Sequence, residues 1–184
     1  MTRPSSPTAD DAEWWPQARR VPSPNFDERP EHAPIDLIVI HAISLPPDEF
    51  GGQGIMQLFT NTLDPLEHAY YREIQHLRVS AHFLVRRDGE LIQFVPCARR
   101  AWHAGVSAWR GRENCNDFSI GIELEGCDQL PFEDVQYRVL NRLLAQLRDR
   151  YGIDAVVGHS DIAPGRKTDP GPCFDWHRVR GIDA

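Results

Sequence analysis

The chain has 184 residues, of which 41% are hydrophobic and 26% are charged, and its formal net charge is −7. This composition is typical of one globular domain with a sizeable core. The acidic balance argues against a general nucleic-acid binder, which would carry a basic face, and no apolar run is long enough to span a membrane. We therefore expect a single domain over residues 1–184 that binds neither nucleic acid nor a membrane.

The N-terminal region is predicted to be the least regular part of the chain. Residues 1–33 are rich in Pro, Ser and charged side chains, so most of them should be irregular, although Trp14 and Trp15 are expected to dock a short segment. Residues 1–18 are predicted to form a loosely ordered extension. Because residues 1–11 are polar and contain no apolar core, they do not resemble a secretory signal, and we expect a cytoplasmic protein.

The remaining residues show strand and helix patterns in alternation. In chain order, these patterns predict a strand at residues 36–41, short helices at 54–60 and 65–76, a hairpin of strands at 81–86 and 90–95, a strand at 118–125, a long amphipathic helix at 135–151, a strand at 155–159 and a final helix at 174–180. The hairpin is supported by an Asp-Gly turn, and a glycine ends the long helix. This order indicates an α/β fold in which helices flank a mixed central β-sheet.

The four cysteines do not indicate a metal or redox site. They are Cys97, Cys115, Cys127 and Cys173, and no pair has the Cys-x-x-Cys spacing. That spacing is the usual mark of a cysteine zinc site or a redox dithiol. We expect buried or half-buried thiols that pack as small apolar groups.

Two histidines and one aspartate form a possible metal site. His41 and His159 each stand where an apolar strand meets a loop rich in Gly and Pro, and Asp169 follows in the second of these loops. Such positions lie at the rim of a sheet, where functional sites are usually built. Two neutral imidazoles and a carboxylate are a normal catalytic zinc set, with the fourth position left for water. The spacing alone leaves open that each histidine is a hydrogen-bonded structural residue, and no His-Glu-x-x-His pattern is present.

Two further residues fit hydrolytic chemistry. Lys167 is the single lysine among 20 basic residues, and a compact ammonium near a metal site is suited to stabilising an oxyanion. Glu123 lies in the strand at 118–125 between apolar neighbours, where a carboxylate could move a proton from water to a leaving amine. Glu125 on the same strand face is a rival for this role, and pairing with an Arg is the structural alternative for Glu123.

Several segments around these residues resemble the AmpD family, the cytoplasmic 1,6-anhydro-N-acetylmuramyl-L-alanine amidases of bacterial cell-wall recycling. The resembling segments are residues 39–41, 43–47, 76–83, 100–105, 116–126 and 158–171. The resemblance implies a zinc amidase fold shared with peptidoglycan recognition proteins and phage amidase-type lysozymes. It also implies one Zn²⁺ per chain, bound by His41, His159 and Asp169, with Glu123 and Lys167 acting in catalysis.

The resemblance also implies a small-molecule substrate, an anhydro-muropeptide. The bond hydrolysed would be the amide between the lactyl group of anhydro-muramic acid and the L-Ala of the stem peptide, and the enzyme is expected to be a monomer. By analogy, Trp102 would pack on the sugar and Arg78 would meet a carboxylate of the peptide. His103 and Asn114 complete the predicted substrate contacts.

The chain departs from the family pattern at three positions near the predicted site. The family usually has Asn where this chain has Ala42, often has Arg or another residue able to grip the peptide at Asn114, and commonly has Glu at Gly165. A lost side-chain hydrogen bond to substrate is worth about 0.5–1.5 kcal/mol. The departures therefore bear on affinity and specificity, whereas the metal and catalytic set is complete.

Two other functions compete with the amidase hypothesis. One is a muropeptide sensor that keeps the fold without activity, although non-catalytic members of the wider fold typically lack a metal ligand and this chain lacks none. The other is a structural zinc protein, in which His103 or Cys173 would close the site as a fourth ligand.

Overall fold

The computed structural model describes residues 14–179. Most of the predicted N-terminal extension lies outside this range. Within it, Trp15 is buried, packs edge-on against Phe83, and donates a hydrogen bond from Nε1 to Gln146 Oε1 over 2.8 Å. The expected docking of a short N-terminal segment is therefore confirmed at Trp15.

The described residues form ten strands and four α-helices. The strands are β1 (Arg19–Arg20), β2 (Phe26–Glu28), β3 (Leu37–Ile43), β4 (Phe83–Val85), β5 (Leu91–Gln93), β6 (Arg99–Ala101), β7 (Ala108–Trp109), β8 (Arg112–Glu113), β9 (Ser119–Glu125) and β10 (Ala155–Gly158). The helices are α1 (Gly54–Phe59), α2 (Ala69–Ile74), α3 (Asp134–Tyr151) and α4 (His159–Ile162). Among residues 14–179, no helix combines the length and apolar character that a membrane crossing requires.

A six-stranded mixed sheet forms the centre of the fold, in the order β1-β5-β4-β9-β3-β10. Neighbouring strands run parallel except for β4 and β5, which form the predicted antiparallel hairpin. The short strands β2 and β6 pair in one small sheet, and β7 and β8 pair in another. The predicted α/β class with a mixed central sheet is confirmed.

Both faces of the central strands are covered, as expected for parallel strands rich in Val and Ile. On one face, Ile38 and Ile40 of β3 pack in a cluster that includes Leu140 and Leu144 of α3. On the other face, Val39 belongs to a cluster with the side chains of the 104–118 segment. The sheet is therefore the middle of three layers.

The register of the central strands brings the predicted site residues together. His41 on β3 is the register partner of Glu123 on β9, and Ile40 is the partner of Gly158 at the end of β10. Because the three strands are parallel and adjacent, their carboxyl ends meet at one edge of the sheet. This register brings His41, Glu123 and His159 together although they are far apart in the chain.

Several predicted boundaries are wrong. The helix predicted at 65–76 is only α2, because the His68 side chain accepts the Tyr70 N–H and caps the helix there. His159 opens α4 and does not end β10. The helix predicted at 174–180 is a single 3₁₀ turn, Trp176–Arg178, capped by Asp175. Residue 180 lies outside the described range.

The other predicted elements are confirmed. The hairpin turns through Gly89, whose φ of +88° favours glycine. The long helix is α3, and Gly152 ends it with φ of +69° while its N–H donates to the Arg148 carbonyl. The burial predicted for the cysteines also holds: three are buried and Cys173 is half-buried.

Candidate metal centre and active site

Three side-chain atoms converge at the edge of the sheet. His41 Nδ1 lies 3.0 Å from His159 Nδ1, and Asp169 Oδ2 lies 3.1 Å from each of them. Both histidines are buried and Asp169 is half-buried. Within residues 14–179, this is the only group of three or more His, Cys, Asp or Glu side chains whose ligand atoms could hold a metal.

The triangle fits a metal ion better than it fits a hydrogen-bonded cluster. The far nitrogen of His159, Nε2, lies 3.0 Å from the Ala104 carbonyl, which can only accept, so the ring proton belongs to Nε2 and Nδ1 presents a lone pair to Asp169. Lone pairs that face a carboxylate at this distance repel unless a cation lies between them. Tetrahedral zinc, with bonds of about 2.0–2.2 Å, separates its ligands by about 3.3–3.6 Å, a few tenths of an ångström more than the observed distances.

The protonation states also suit metal binding. Burial lowers the pKa of His41 from 6.5 to about 4, despite the opposing contact with Asp169. Burial disfavours the carboxylate of Asp169, but its contacts with the two imidazoles outweigh burial and hold the pKa of that carboxyl below its ordinary value. A neutral imidazole and an ionised carboxylate are the forms in which these groups ligate a metal.

Glu123 faces the same space with an unsatisfied oxygen. Its side chain is 8% exposed, and Oε2 is buried without a hydrogen-bond partner. Burial and the nearby Asp169 raise the pKa of Glu123 well above its ordinary value. A carboxyl group with a raised pKa in a cleft is suited to accepting and releasing a proton near neutral pH.

Glu125, the rival on the same strand face, has a structural role. Its two carboxylate oxygens accept the N–H groups of Gly51 over 2.7 Å and Arg87 over 3.1 Å, and Arg86 lies 3.5 Å away. It is not among the residues that line the cavity at the metal centre. The structure therefore favours Glu123 over Glu125 as the acid–base group.

A cavity of about 230 Å³ joins the predicted catalytic groups. Its walls include the three clustered ligands together with Glu123, Lys167, Trp102 and His103. Lys167 is exposed, in the loop that leads from α4 to Asp169, and this loop is closed by a hydrogen bond from the Ser160 N–H to the Asp169 carbonyl. Trp102 is half-buried.

Two predicted substrate contacts do not line this cavity. Arg78 is exposed, and its guanidinium donates to the carbonyls of Gln75 and Leu77, each over 3.0 Å. Asn114 lines a separate cavity of about 390 Å³ that Arg166 also lines. The structure thus groups Trp102 and His103 with the metal centre, and leaves Arg78 and Asn114 as predictions.

The proposed fourth ligands do not belong to the cluster. His103 Nδ1 lies 2.9 Å from His41 Nε2, on the side of the His41 ring opposite the ligand atom. Cys173 donates from Sγ to the Asp128 carbonyl. The hypothesis of a closed structural site is therefore wrong about both residues.

The positions that depart from the family pattern differ in their surroundings. Ala42 lines the cavity, next to His41 in the chain. Gly165 has φ of +76° and open space around its Cα. An L residue such as Glu would be strained in that conformation, which favours glycine here.

Some residues at the site carry no signal in the sequence. The Ala104 carbonyl contacts His159, and the Asn116 side chain accepts the backbone N–H groups of His103 over 3.1 Å and Ala104 over 2.8 Å. A backbone carbonyl has no residue signature, and nothing in the spacing of Asn116 indicates this role. Only the folded chain reveals them.

Comparison with known proteins agrees with this geometry. The family described as N-acetylmuramoyl-L-alanine amidase matches residues 31–172. The chain is 57% identical over 176 residues to 1,6-anhydro-N-acetylmuramyl-L-alanine amidase AmpD of Salmonella typhimurium (strain SL1344), covering 95% of this chain and 94% of that protein. It is 59% identical over 169 residues to the AmpD of Escherichia coli (strain K12), covering 91% and 92%.

The structure of this chain is also similar to solved structures of amidases. A crystal structure of a selenomethionine derivative of AmpD superposes with a TM-score of 0.89 at 58% identity, covering 91% of this chain and 95% of that chain. The amidase AmiD from E. coli, in complex with the substrate anhydro-N-acetylmuramic acid-L-Ala-D-gamma-Glu-L-Lys, superposes with a TM-score of 0.58 at 32% identity, covering 84% of this chain and 64% of that chain.

Proposed function

The chain belongs to the N-acetylmuramoyl-L-alanine amidase family, and from this premise we propose that it hydrolyses the amide bond between 1,6-anhydro-N-acetylmuramic acid and the L-Ala of the stem peptide. The reaction is a step of cell-wall recycling, and the substrate is a free muropeptide. The observation that carries the proposal is the convergence of His41, His159 and Asp169 beside a buried, unpartnered Glu123 oxygen.

The metal in this proposal is one zinc ion. His41 and His159 would hold it through Nδ1, and Asp169 through Oδ2. Two nitrogen ligands and one oxygen ligand suit zinc, and three protein ligands leave a position open, as catalytic sites require. When bound, zinc supplies Lewis acidity to water and to the amide carbonyl.

Glu123 and Lys167 complete the chemistry. Glu123 Oε2 takes a proton from the attacking water and then delivers it to the amine of L-Ala as the C–N bond breaks, so that the lactyl group leaves as a carboxylic acid. The raised pKa of Glu123 favours this exchange. The Lys167 ammonium, in the same cavity, stabilises the negative charge that develops on the carbonyl oxygen.

We propose three substrate contacts. Trp102, half-buried in the cavity wall, packs on the anhydro-sugar. Arg78 meets a carboxylate of the stem peptide, since its neighbours Leu77 and Val79 line the cavity while its own side chain is exposed. Asn114 contacts the peptide from the adjoining loop. We further propose a single amidase domain that acts as a cytoplasmic monomer.

The test is an assay of the products. Purified protein is incubated with anhydro-muramyl tripeptide, and the products are identified by mass spectrometry after chelation and after addition of zinc, manganese or magnesium separately. We expect free tripeptide and anhydro-muramic acid, loss of both on chelation, and recovery with zinc. Intact substrate in the presence of bound zinc would refute the amidase and favour a sensor. Recovery with magnesium alone would refute the zinc assignment.

A further inference from the structure

His103 and Ala104 contact the two histidines of the metal cluster at the ring nitrogens that face away from it. His41 Nε2 lies 2.9 Å from His103 Nδ1, and His159 Nε2 lies 3.0 Å from the carbonyl oxygen of Ala104. Each ligand therefore has its Nδ1 in the metal cluster and its Nε2 against residues 103–104. The predicted role of His103 was substrate contact, yet its ring nitrogens point at other protein groups.

The hydrogen bond at His103 Nε2 determines which ring nitrogen carries the proton in His103 and in His41. His103 Nε2 lies 3.2 Å from Ser119 Oγ, and Ser119 Oγ donates its proton to the Cys115 carbonyl over 2.5 Å. A hydroxyl has one proton, so Ser119 Oγ must accept from His103 Nε2–H. His103 Nδ1 then carries the lone pair and accepts from His41 Nε2–H. The His41 Nδ1 lone pair is left facing the metal cluster.

We propose that His103 and Ser119 form a positioning pair that holds His41 in its Nε2–H tautomer, while the Ala104 carbonyl does the same for His159. Both ligands are thereby prepared with Nδ1 lone pairs that converge on Asp169 before any metal arrives. The inference rests on the proposed function, because it presupposes that these three residues hold a metal. His103 acts through His41 and not on the substrate.

The surroundings of the dipeptide keep it in place. Asn116 Oδ1 accepts the backbone N–H groups of both His103 and Ala104. The His103 ring lies against β9 at Gly121, where an added Cβ would come within 2.4 Å of the His103 ring. Gly121 thus provides the room in which the ring sits between His41 and Ser119. Arg166 also donates to the Ala104 carbonyl over 2.7 Å.

The expected effect is on metal affinity. If the Ser119 hydroxyl is removed, His103 is free to carry its proton on Nδ1 and donate it to His41 Nε2. His41 then carries its own proton on Nδ1, where it blocks the ligand lone pair. Removing a partner that orients a ligating histidine typically costs 10- to 100-fold in metal affinity or activity.

Ser119→Ala is the main test, and Ser107→Ala is its matched control. Both serines are buried, and the Ser107 hydroxyl also hydrogen-bonds backbone groups, donating to Gly105 O and accepting from Cys115 N–H, but it does not contact an imidazole. Zinc affinity is measured by competition with a chromogenic chelator. We expect S119A to bind zinc at least tenfold more weakly than the wild type and S107A to bind within threefold of it.

The tautomers are read directly in the metal-free protein by long-range ¹H–¹⁵N correlation of the imidazoles. In the wild type, His41 and His103 should both show protonated Nε2. In S119A, His41 should show a population protonated on Nδ1, while S107A should match the wild type. If Ser119 only stabilises the fold, S119A should lower the stability and leave the His41 tautomer unchanged.

Substitutions at His103 separate its two hydrogen bonds. His103→Asn keeps an acceptor near the position of Nδ1, whereas His103→Gln keeps a donor near Nε2 and loses that acceptor. We expect H103N to retain more zinc affinity than H103Q. Equal zinc affinities in wild type, S119A and H103Q, or His41 protonated on Nδ1 in the wild type, would overturn the inference. A wild type that binds no zinc would instead refute the proposed function, and its tautomer spectrum would still decide the positioning role.

Discussion

Glu123→Gln tests the acid–base role of Glu123 without removing a metal ligand. The glutamine has the same shape and cannot take a proton from water. Because general acid–base catalysis is typically worth 10²–10⁴-fold, we expect kcat to fall by about that factor. The metal ligands are untouched, so zinc should remain bound at one ion per chain. The assay is tripeptide release, read beside the zinc content of the same sample.

The same substitution should stabilise the metal-free protein, increasingly so at higher pH. The folded pKa of Glu123 is raised above its ordinary value of 4.5, so the folded state holds this proton more tightly than the unfolded chain. Stability is therefore lost as the pH rises from 4.5 toward the raised pKa. The loss is about 1.4 kcal/mol per pH unit over that window. In E123Q this contribution is absent, so the difference in unfolding free energy should grow as the pH rises above 4.5.

Glu125→Gln is the matched control on the same strand face. Its carboxylate accepts two backbone N–H groups, and an amide cannot accept both without turning its NH₂ toward a donor. E125Q should therefore lose about 1–3 kcal/mol of unfolding free energy while keeping its kcat in the folded fraction. An E123Q variant that keeps its turnover, or an E125Q variant that loses it with the fold intact, would refute the assignment of roles.

Substitutions of Lys167, His41 and Arg29 test three other parts of the structure. Lys167→Ala should lower kcat by about 10²-fold with zinc still bound, measured by product release and metal content, and normal turnover would remove Lys167 from the mechanism. Because the folded pKa of His41 is lowered from 6.5 to about 4, this group alone should cost the metal-free protein about 3 kcal/mol as the pH falls through that window, so the acid loss of His41→Asn in denaturant titrations should be smaller than that of the wild type by about this amount. Arg29→Met should cost about 3 kcal/mol in denaturant unfolding, because the half-buried guanidinium donates to the carbonyls of residues 97, 116, 117 and 119, and hydrogen bonds that involve a charged group are worth about 1.5–3 kcal/mol each; a loss under 1 kcal/mol would contradict this.

The longest elements could be predicted because their signals are local. The apolar run before His41 and the alternation through Glu123 specify β3 and β9 to within two residues, and the helical repeat specifies α3. Strands such as β1, β7 and β8 have only two residues each and are defined by their partners. The sequence pattern of such short segments contains too few residues to show a period.

The choice between the two carboxylates required tertiary structure. Alternation puts Glu123 and Glu125 on one strand face, so the pattern cannot distinguish them. The distinction comes from Gly51 and Arg87, whose N–H groups satisfy Glu125, and these residues reach β9 only in the folded chain. The orientation of the ligand histidines likewise depends on a carbonyl at Ala104, which any residue could supply.

Anomalous diffraction is the sharpest test of an open metal site with three protein ligands. Crystals of the protein loaded with zinc are measured above and below the zinc absorption edge. We expect one strong anomalous peak within about 2.0–2.2 Å of His41 Nδ1, His159 Nδ1 and Asp169 Oδ2, with no fourth protein ligand. A peak bound through Nε2 of either histidine, a fourth protein ligand, or no peak at this cluster would contradict it.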